Sequence, residues 1–229
     1  MPAGKNPNPR KKIQNTPTFH YKIGEYILLP EILDTNQILF FTVLKRRRST
    51  RSFGKLSLNE LSTLLWHSAK VQKLFVSENG AILSHRPAPS AGGIHPIDVF
   101  VSLPTLINER KLLLYDPIGH RLGRLIINPV DESSFFEEVN NCLQMDNGTL
   151  IWFGAYMAST ALKYHNPESL VWRDAGALLM TFQLVATALG IASCPVGTLG
   201  EPFFFNSLDK MVLSSGGVLV GKGYDYTEE

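Results

Sequence analysis

The 229-residue sequence is poor in several features that would assign a protein to a class at once. Two cysteines, Cys142 and Cys194, are too few for a disulfide framework, and neither has Cys or His neighbours at the spacing of a metal site. The N-terminus lacks the apolar core of a signal peptide. The longest apolar stretch, residues 175–189, contains polar side chains and falls short of a membrane span. These features predict a cytoplasmic protein that holds no metal and does not span a membrane.

The sequence also lacks an excess of charge of either sign. It has 22 lysines and arginines against 20 acidic residues, a net charge of +2. This balance argues against a general nucleic-acid or membrane-surface binder. Its 44% hydrophobic and 18% charged residues are ordinary for a globular protein. A chain of this length can bury a sizeable core as one domain or two small ones.

The first 17 residues contain no acidic residue and almost no apolar side chain, but they include four cations: Lys5, Arg10, Lys11 and Lys12. Such a segment cannot bury enough surface to offset the entropy lost on ordering. We therefore expect residues 1–17 to form a flexible basic tail. Beyond it, helical and strand patterns interleave without a repeat or a linker, which predicts a single α+β domain over residues 18–229.

Two helices are well marked within this domain. Ser57 and Glu60 have the spacing of a capping box at the start of a helix whose apolar side chains share one face. Residues 174–190 are apolar nearly all round and end at Gly190, which predicts a helix enclosed in a large core or a dimer. The remaining patterns predict strands at 97–103, 149–159 and 216–226, a hairpin at 111–125, a helix at 131–145 and a loop at 76–96.

What the sequence does contain is a dense basic cluster. Five cations fall within residues 44–51: Lys45, Arg46, Arg47, Arg48 and Arg51. Arginine side chains hold phosphate bidentately, and the hydroxyl of Ser49 adds a neutral donor. The alternative is a basic surface patch or a localisation signal. Because the cluster lies between an apolar segment and a capped helix, we favour an anion-binding site.

Two further stretches present backbone groups. In "RPAPSAGGIHP", Gly92 and Gly93 allow backbone N–H groups to approach a ligand closely, although a plain turn explains them equally well. In "GIASCPVGTLG", residues 195–197 follow the apolar helix and can present N–H and C=O groups. Cys194 has no recognisable histidine partner, and we expect it to be a small buried thiol.

Taken together, the order of these motifs resembles the FMN-dependent nitroreductase superfamily, and within it the SagB-type branch of azoline dehydrogenases. The matching segments span roughly residues 29 to 223. They are Leu29–Pro30–Glu31, Arg47–Phe53, Leu61–Trp66, Arg86–Asp98 and Gly190–Gly197. The resemblance implies a nitroreductase-like α+β fold, with a central, mostly antiparallel sheet flanked by helices. It also implies an interlocked homodimer with two FMN molecules at the interface.

The resemblance assigns roles to residues of this chain. The turn that holds the FMN phosphate and ribityl chain is matched by Arg47, Arg48, Ser49 and Arg51. The loop that reaches the flavin from the second subunit is matched by Pro89, Ser90, Ala91, Gly92 and Gly93. The backbone beside the flavin ring is matched by Pro195, Val196 and Gly197, and the late cation that closes on the phosphate by Lys222.

Catalysis in the azoline dehydrogenases uses an adjacent Lys–Tyr pair, which is matched here by Lys163 and Tyr164. One of the pair would remove a proton from the azoline ring while hydride passes to flavin N5. The alternative is a solvated lysine beside an amphipathic tyrosine. Two departures bear on this role. "HNPESLVW" replaces a stretch usually rich in arginine and tyrosine, and His95 stands where relatives often have tyrosine.

Three functions follow from the resemblance. The first is FMN-dependent dehydrogenation of an azoline on a modified peptide or carrier-bound intermediate, with a biosynthetic partner protein as one option. The second is an NAD(P)H-dependent nitroreductase or quinone reductase acting on a small molecule. The third is a non-catalytic subunit, against which the intact arginine cluster argues.

Overall fold

The computed structural model describes residues 4–11, 21–32, 34–35, 37–77, 80, 82–104, 110–200, 203, 207–208 and 212–223. Eleven strands are formed within these ranges: β1 (Asn8–Pro9), β2 (Ile23–Leu28), β3 (Lys73–Val76), β4 (Ile82–His85), β5 (Ile97–Ser102), β6 (Leu113–Asp116), β7 (Arg121–Leu125), β8 (Thr149–Tyr156), β9 (Tyr164–His165), β10 (Ile191–Val196) and β11 (Val212–Lys222). Five α-helices accompany them: α1 (Phe40–Arg46), α2 (Leu58–Ala69), α3 (Pro129–Cys142), α4 (Met157–Lys163) and α5 (Glu168–Ala188).

Seven strands form the central sheet, in the order β10-β11-β8-β5-β6-β7-β2, and each neighbouring pair is antiparallel. One face of the sheet packs against α2 and α5, where Leu61, Leu64 and Phe182 are fully buried. The other face packs against α3, around Phe135 and Trp152. The predicted α+β fold, a large antiparallel sheet flanked by helices, is confirmed.

The capping box predicted for α2 is present in full. The Oγ atom of Ser57 accepts a hydrogen bond from the backbone N–H of Glu60 at 3.3 Å, and the Glu60 carboxylate accepts one from the Ser57 N–H at 2.7 Å. Two backbone donors that the first helical turn leaves free are thereby satisfied. The cap determines where α2 begins. It therefore also determines where the segment between α1 and α2, which contains the arginines, ends.

Helix α5 is longer than the sequence predicted, because it begins at Glu168 rather than near residue 174. One side of it is buried in the core of its own chain, through residues such as Val171, Leu178 and Phe182. The other side is open. Trp172 is 44% exposed and Met180 is 39% exposed, and at a spacing of eight residues they share a face. A single copy of the chain therefore leaves part of this apolar helix uncovered.

Several local predictions need correction. The segment 76–96 is not one loop, because Ile82–His85 pairs with Lys73–Val76 as a separate two-stranded hairpin and a 3₁₀ turn follows at Ala91–Gly93. The strand predicted to reach residue 159 ends at Tyr156, where α4 begins. The segment 190–197, which we did not predict to be a strand, supplies edge strand β10.

Part of the predicted N-terminal tail also has a defined place. Residues 4–11 are described, and within them β1 pairs with β9 through Asn8–His165 and Pro9–Tyr164. Residues 1–3 and 12–17, the rest of the predicted tail, lie outside the described residues. In the part of the chain that the structure describes, no helix has the length and apolar character needed to cross a membrane.

Candidate functional site

The turn formed by residues 47–51, which we call the arginine turn, lies at the free edge of the central sheet. It follows α1 directly, and the backbone N–H of Thr50 donates a hydrogen bond to the Ser193 carbonyl of β10 at 2.9 Å. Just beyond the turn, Gly54 and Lys222 exchange two backbone hydrogen bonds, of 2.9 and 2.8 Å. The turn is therefore fixed to both of the last two strands of the sheet.

The side chains of the arginine turn are available for a ligand. Arg47 is half-buried, whereas Arg48, Ser49 and Arg51 are exposed. Within the described ranges, no carboxylate lies within ion-pair distance of these three guanidinium groups. Several unpaired guanidinium groups beside a hydroxyl are the donor set that a phosphate dianion prefers.

Lys222, the predicted late cation, lies beside the arginine turn but has a partner of its own. Its Nζ atom is 3.6 Å from Oε1 of Glu60, the capping residue of α2. Both side chains are partly exposed, so this pair is weak and can be exchanged for a stronger anion. The structure thus places this fourth cation next to Gly54, three residues beyond the arginine turn.

The predicted ring-side segment lies further along the same strand edge. Pro195 and Val196 are the last residues of β10, and Gly197 follows them in an exposed position. Proline is tolerated there because β10 is an edge strand. At about 3.3 Å per residue, Gly197 lies about 13 Å from Ser193. This edge can therefore take an elongated ligand with its phosphate at the arginine turn and a flat ring near Gly197.

Cys194 is 3% exposed and packs in the core behind this edge, as expected for a small buried thiol. Cys142, the other cysteine, is exposed at the end of α3. Neither thiol forms a disulfide. The chemistry of the site therefore rests on other groups.

The loop Pro89–Gly93, which we call the glycine loop, is held by a carboxylate on α5. Asp174 accepts a hydrogen bond from the hydroxyl of Ser90 at 2.6 Å and from the backbone N–H of Ala91 at 3.1 Å. The Ser90 hydroxyl in turn accepts one from the N–H of His95 at 2.9 Å. Burial raises the pKa of Asp174, and the bonds from Ser90 and Ala91 oppose that rise.

Asp174 is a site residue that our reading of the sequence missed. It is 8% exposed, and it is the one acidic residue in the long apolar run that follows Arg173. A buried carboxylate on an apolar helix needs hydrogen-bond donors, and that need was the available signal. The sequence does not indicate where the donors come from, because Ser90 lies 84 residues away along the chain.

The predicted catalytic pair lies against the glycine loop. Lys163 ends α4 and Tyr164 begins β9. The Lys163 ammonium donates a hydrogen bond to the Gly92 carbonyl at 3.0 Å. A Cβ atom added to Gly92 would lie 2.5 Å from Lys163 Nζ and 2.8 Å from the Tyr164 hydroxyl oxygen. Both functional groups therefore surround Gly92, whose φ of +65° suits glycine.

The structure does not bring the glycine loop and the arginine turn together within one chain. Ile97, four residues beyond the glycine loop, lies at the same level of the sheet as Leu213 of β11, because both are paired with Ala155. Ser193, beside the arginine turn, is level with Val220. Seven residues of strand separate Leu213 from Val220, which is about 20 Å. The sequence-predicted site residues thus form two separate groups in a single copy.

Charged groups under the glycine loop and on the adjoining strand β5 influence one another's pKa values. Arg86, Ser90, His95 and Asp174 line a cavity of about 20 Å³, which is the space of one water molecule. Burial, and then the Arg86 charge, lower the pKa of His95 to about 4. Burial raises the pKa of Asp98 to about 6, against the opposing effects of Tyr21 and Arg86. The neutral imidazole donates through Nε2 to the Ser84 carbonyl at 3.0 Å.

Comparison with known proteins identifies this architecture. The sequence profile of the Nitroreductase family matches residues 44–211. Among proteins of curated function, none matches the sequence. A Ralstonia eutropha JMP134 protein assigned as a nitroreductase has a similar structure, with a TM-score of 0.63 and 22% identity over 97% of this chain and 100% of that one.

Two other solved structures are similar. A protein of Anabaena variabilis ATCC 29413 assigned as a nitroreductase has a TM-score of 0.63 and 22% identity, covering 89% of this chain and 40% of that chain. The Escherichia coli microcin synthetase McbBCD, in complex with truncated pro-MccB17, has a TM-score of 0.61 and 17% identity, covering 88% of this chain and 79% of that chain. At these identities the likeness establishes the fold.

His95, beneath the glycine loop, and Asp98, on strand β5, predict opposing effects of pH on stability. For His95, the unfolded chain binds more protons between about pH 4 and its ordinary pKa of 6.5, so its contribution to the free energy of unfolding rises with pH. For Asp98, the folded chain binds more protons between 3.8 and about 6, so its contribution falls as pH rises. Urea unfolding from pH 4 to 6.5 should give a steeper rise with pH for Asp98→Asn than for the unmodified chain.

The reciprocal variant supplies the control. With His95→Gln the Asp98 contribution is left alone, and stability should rise less steeply, or fall, across the same interval. If both variants reproduce the pH dependence of the unmodified protein, the charge arrangement described beneath the glycine loop is wrong.

Proposed function

The chain belongs to the nitroreductase family, and from this premise we propose that it is a SagB-type dehydrogenase that oxidises an azoline ring to an azole. Members of the family are FMN-dependent oxidoreductases, and this chain is one of them. The azoline is carried by a modified peptide or a carrier-bound intermediate. A cytoplasmic location, expected from the sequence, is part of the same proposal.

The observation that carries this proposal is the position of Lys163 and Tyr164 around Gly92. It brings an amine and a phenol, the two groups needed to move a proton, to the loop that we assign to the flavin. A reductase that only passes hydride from a nicotinamide to an acceptor has no need of such a pair. The structural likeness to a microcin synthetase that binds the peptide pro-MccB17 also supports a peptide-borne substrate.

FMN fits the residues that are present. The arginine turn offers guanidinium groups without carboxylate partners in the described ranges, and Lys222 is adjacent. The Ser193 hydroxyl, which is 2% exposed, has no hydrogen-bond partner among the described residues. A ligand with acceptor oxygens at this strand edge would provide hydrogen-bond partners for these guanidinium and hydroxyl donors. We assign phosphate binding to Arg47, Arg48, Ser49, Arg51 and Lys222, and the ring side to Pro195, Val196 and Gly197.

The site is complete only when two copies of the chain meet. In one copy, about 20 Å of strand separates the level of Ile97, which follows the glycine loop, from the level of Ser193, which contacts the arginine turn. Exposed apolar side chains are available for the contact, namely Phe40 and Phe41 of α1 and Trp172 and Met180 of α5. A patch of this kind on a soluble protein marks an interaction surface. We therefore propose a homodimer in which the glycine loop of one copy faces the arginine turn of the other.

The chemistry divides between the cofactor and the protein. Conversion of an azoline to an azole removes one proton and one hydride from the ring, and bound FMN supplies the acceptor for the hydride. In this proposal the side-chain nitrogen of Lys163 takes the proton from the ring carbon. Tyr164 holds the substrate or relays that proton through its hydroxyl group. Asp174 keeps the glycine loop in the conformation that positions both groups.

One observation favours the second function, an NAD(P)H-dependent nitroreductase or quinone reductase. Lys163 Nζ donates to the Gly92 carbonyl, which is also what a lysine with a purely structural role would do. In that case the ammonium group holds the glycine loop and takes no part in proton transfer. The two functions differ in whether catalysis needs the lysine, and in whether a reduced nicotinamide bleaches the flavin.

The deciding experiment is substitution of the pair in the FMN-loaded protein. We expect Lys163→Ala to keep the flavin absorption spectrum and to lose azoline oxidation by about 100-fold or more, because a positioned base contributes about that factor. His165→Gln, at the exposed neighbouring residue, is the control and should retain activity. Full azoline oxidation by Lys163→Ala, or rapid bleaching of the flavin by NADH or NADPH, would reject the dehydrogenase role.

Two adjacent glycines allow a sharper test of geometry. Gly92 and Gly93 have φ values of +65° and +68°, so an alanine at either carries a similar backbone penalty of about 1–2 kcal/mol. A Cβ at Gly92 meets Lys163 and Tyr164, whereas one at Gly93 meets only ordinary contacts at 3.7 Å. We expect similar unfolding midpoints, but an azoline oxidation rate about 100-fold lower for Gly92→Ala. Equal rates in the two variants would mean that the pair does not need its observed position.

A further inference from the structure

Strand β9, which begins at Tyr164 of the proposed catalytic pair, is paired with a segment from the N-terminal part of the same chain. Strand β1 is the one described partner of β9, and together they form a two-stranded sheet apart from the central one. In register, Pro9 is opposite Tyr164 and Asn8 is opposite His165. The backbone of residues 6–10 thus lies directly along the residues that bear the amine and phenol of the site.

Three further hydrogen bonds hold this segment at both ends. The backbone N–H of Arg10 donates to the Lys163 carbonyl at 2.8 Å, and its guanidinium Nε–H donates to the Ala161 carbonyl at 2.7 Å. At the other end, the side-chain amide of Asn166 donates to the Asn6 carbonyl at 3.2 Å. The segment itself contributes only main-chain groups and one guanidinium group to these contacts, which is a pattern that other extended peptides can reproduce.

The contact is shallow. The side-chain hydrogen bonds at both ends are exposed, and Asn8, Pro9 and Arg10 are all exposed residues. Exposed hydrogen bonds contribute little net free energy, and ordering a polar segment opposes them. No large apolar side chain of residues 6–10 is available to anchor it. Such a segment can leave its place when a competing strand arrives.

We propose that residues 6–10 act as a displaceable strap on the β9 edge, and that an extended peptide substrate with a cationic side chain takes the same edge when it binds. Addition of a strand to an exposed edge is a common way to recognise peptides, because main-chain hydrogen bonds supply affinity. The cationic side chain takes the place of Arg10 at the Ala161 carbonyl. This inference rests on the proposed peptide-borne substrate and specifies how that peptide binds.

The probe is a fluorescein-labelled peptide of residues 4–11, GKNPNPRK, added to the full-length FMN-loaded protein. Arg10→Ala removes the guanidinium contact, and Arg10→Pro removes the backbone donor to Lys163. Lys11→Ala, a neighbouring exposed cation without a contact to the β9 edge among the described residues, is the matched control. We expect the peptide to bind both Arg10 variants about fivefold more tightly than the unmodified protein or Lys11→Ala, as loss of one hydrogen bond predicts.

A second measurement observes the edge itself. Hydrogen exchange of the backbone amide of His165, which is paired with Asn8, should be faster in both Arg10 variants and should slow again when the labelled peptide is added. Equal peptide affinities across all four proteins, or no binding to any of them, would overturn the strap. Neither readout requires turnover, so a strap confirmed in an enzyme that does not oxidise azolines would reject the proposed function alone.

Discussion

The length of strand between the arginine turn and the glycine loop is the constraint on which the account of this protein depends. The antiparallel register places Ser193 level with Val220, and Ile97 level with Leu213. About 20 Å of sheet therefore separates the two groups. A sheet cannot shorten, so a ligand that is shorter than this distance and needs both groups would take one of them from a second copy, as we propose. Contact with that second copy would also explain why apolar side chains of α1 and α5 are exposed in the single chain.

Each half of the site is fixed by contacts to a rigid element. The arginine turn is joined to β10 through the backbone of Thr50 and to β11 through that of Gly54, so its backbone is held at a sheet edge. The glycine loop is fixed by Asp174, a carboxylate of the longest helix. Because both elements belong to the core, the two halves are held in position before any ligand arrives. Preorganisation of this kind reduces the ordering that binding requires.

Patterns of neighbouring residues in the sequence were sufficient to predict those helices, strands and turns that contacts between neighbouring residues determine. The capping box of Ser57 and Glu60, the alternation of β5 and the hairpin of β6 and β7 were all predicted from the sequence. The resemblance to known motifs supplied the residues that we assign to the two halves of the site. The predictions failed for residues whose position depends on a partner far away in the sequence. Asp174 is explained only by Ser90 and Ala91, and the place of Asn8 only by His165. The β3–β4 hairpin was missed because Gly80, in an Asn-Gly turn signal, was read as part of a loop.

The central claim is that each flavin site takes its arginine turn from one copy and its glycine loop from the other. Two variants carrying different affinity tags test it when co-expressed: Arg48→Ala/Arg51→Ala, and Asp174→Ala. In a heterodimer built as we propose, one site carries both defects and the other carries none, so the purified heterodimer should contain one FMN while each variant homodimer contains little. A heterodimer with no more FMN than the two homodimers would show that both groups act within one chain, and would contradict the account.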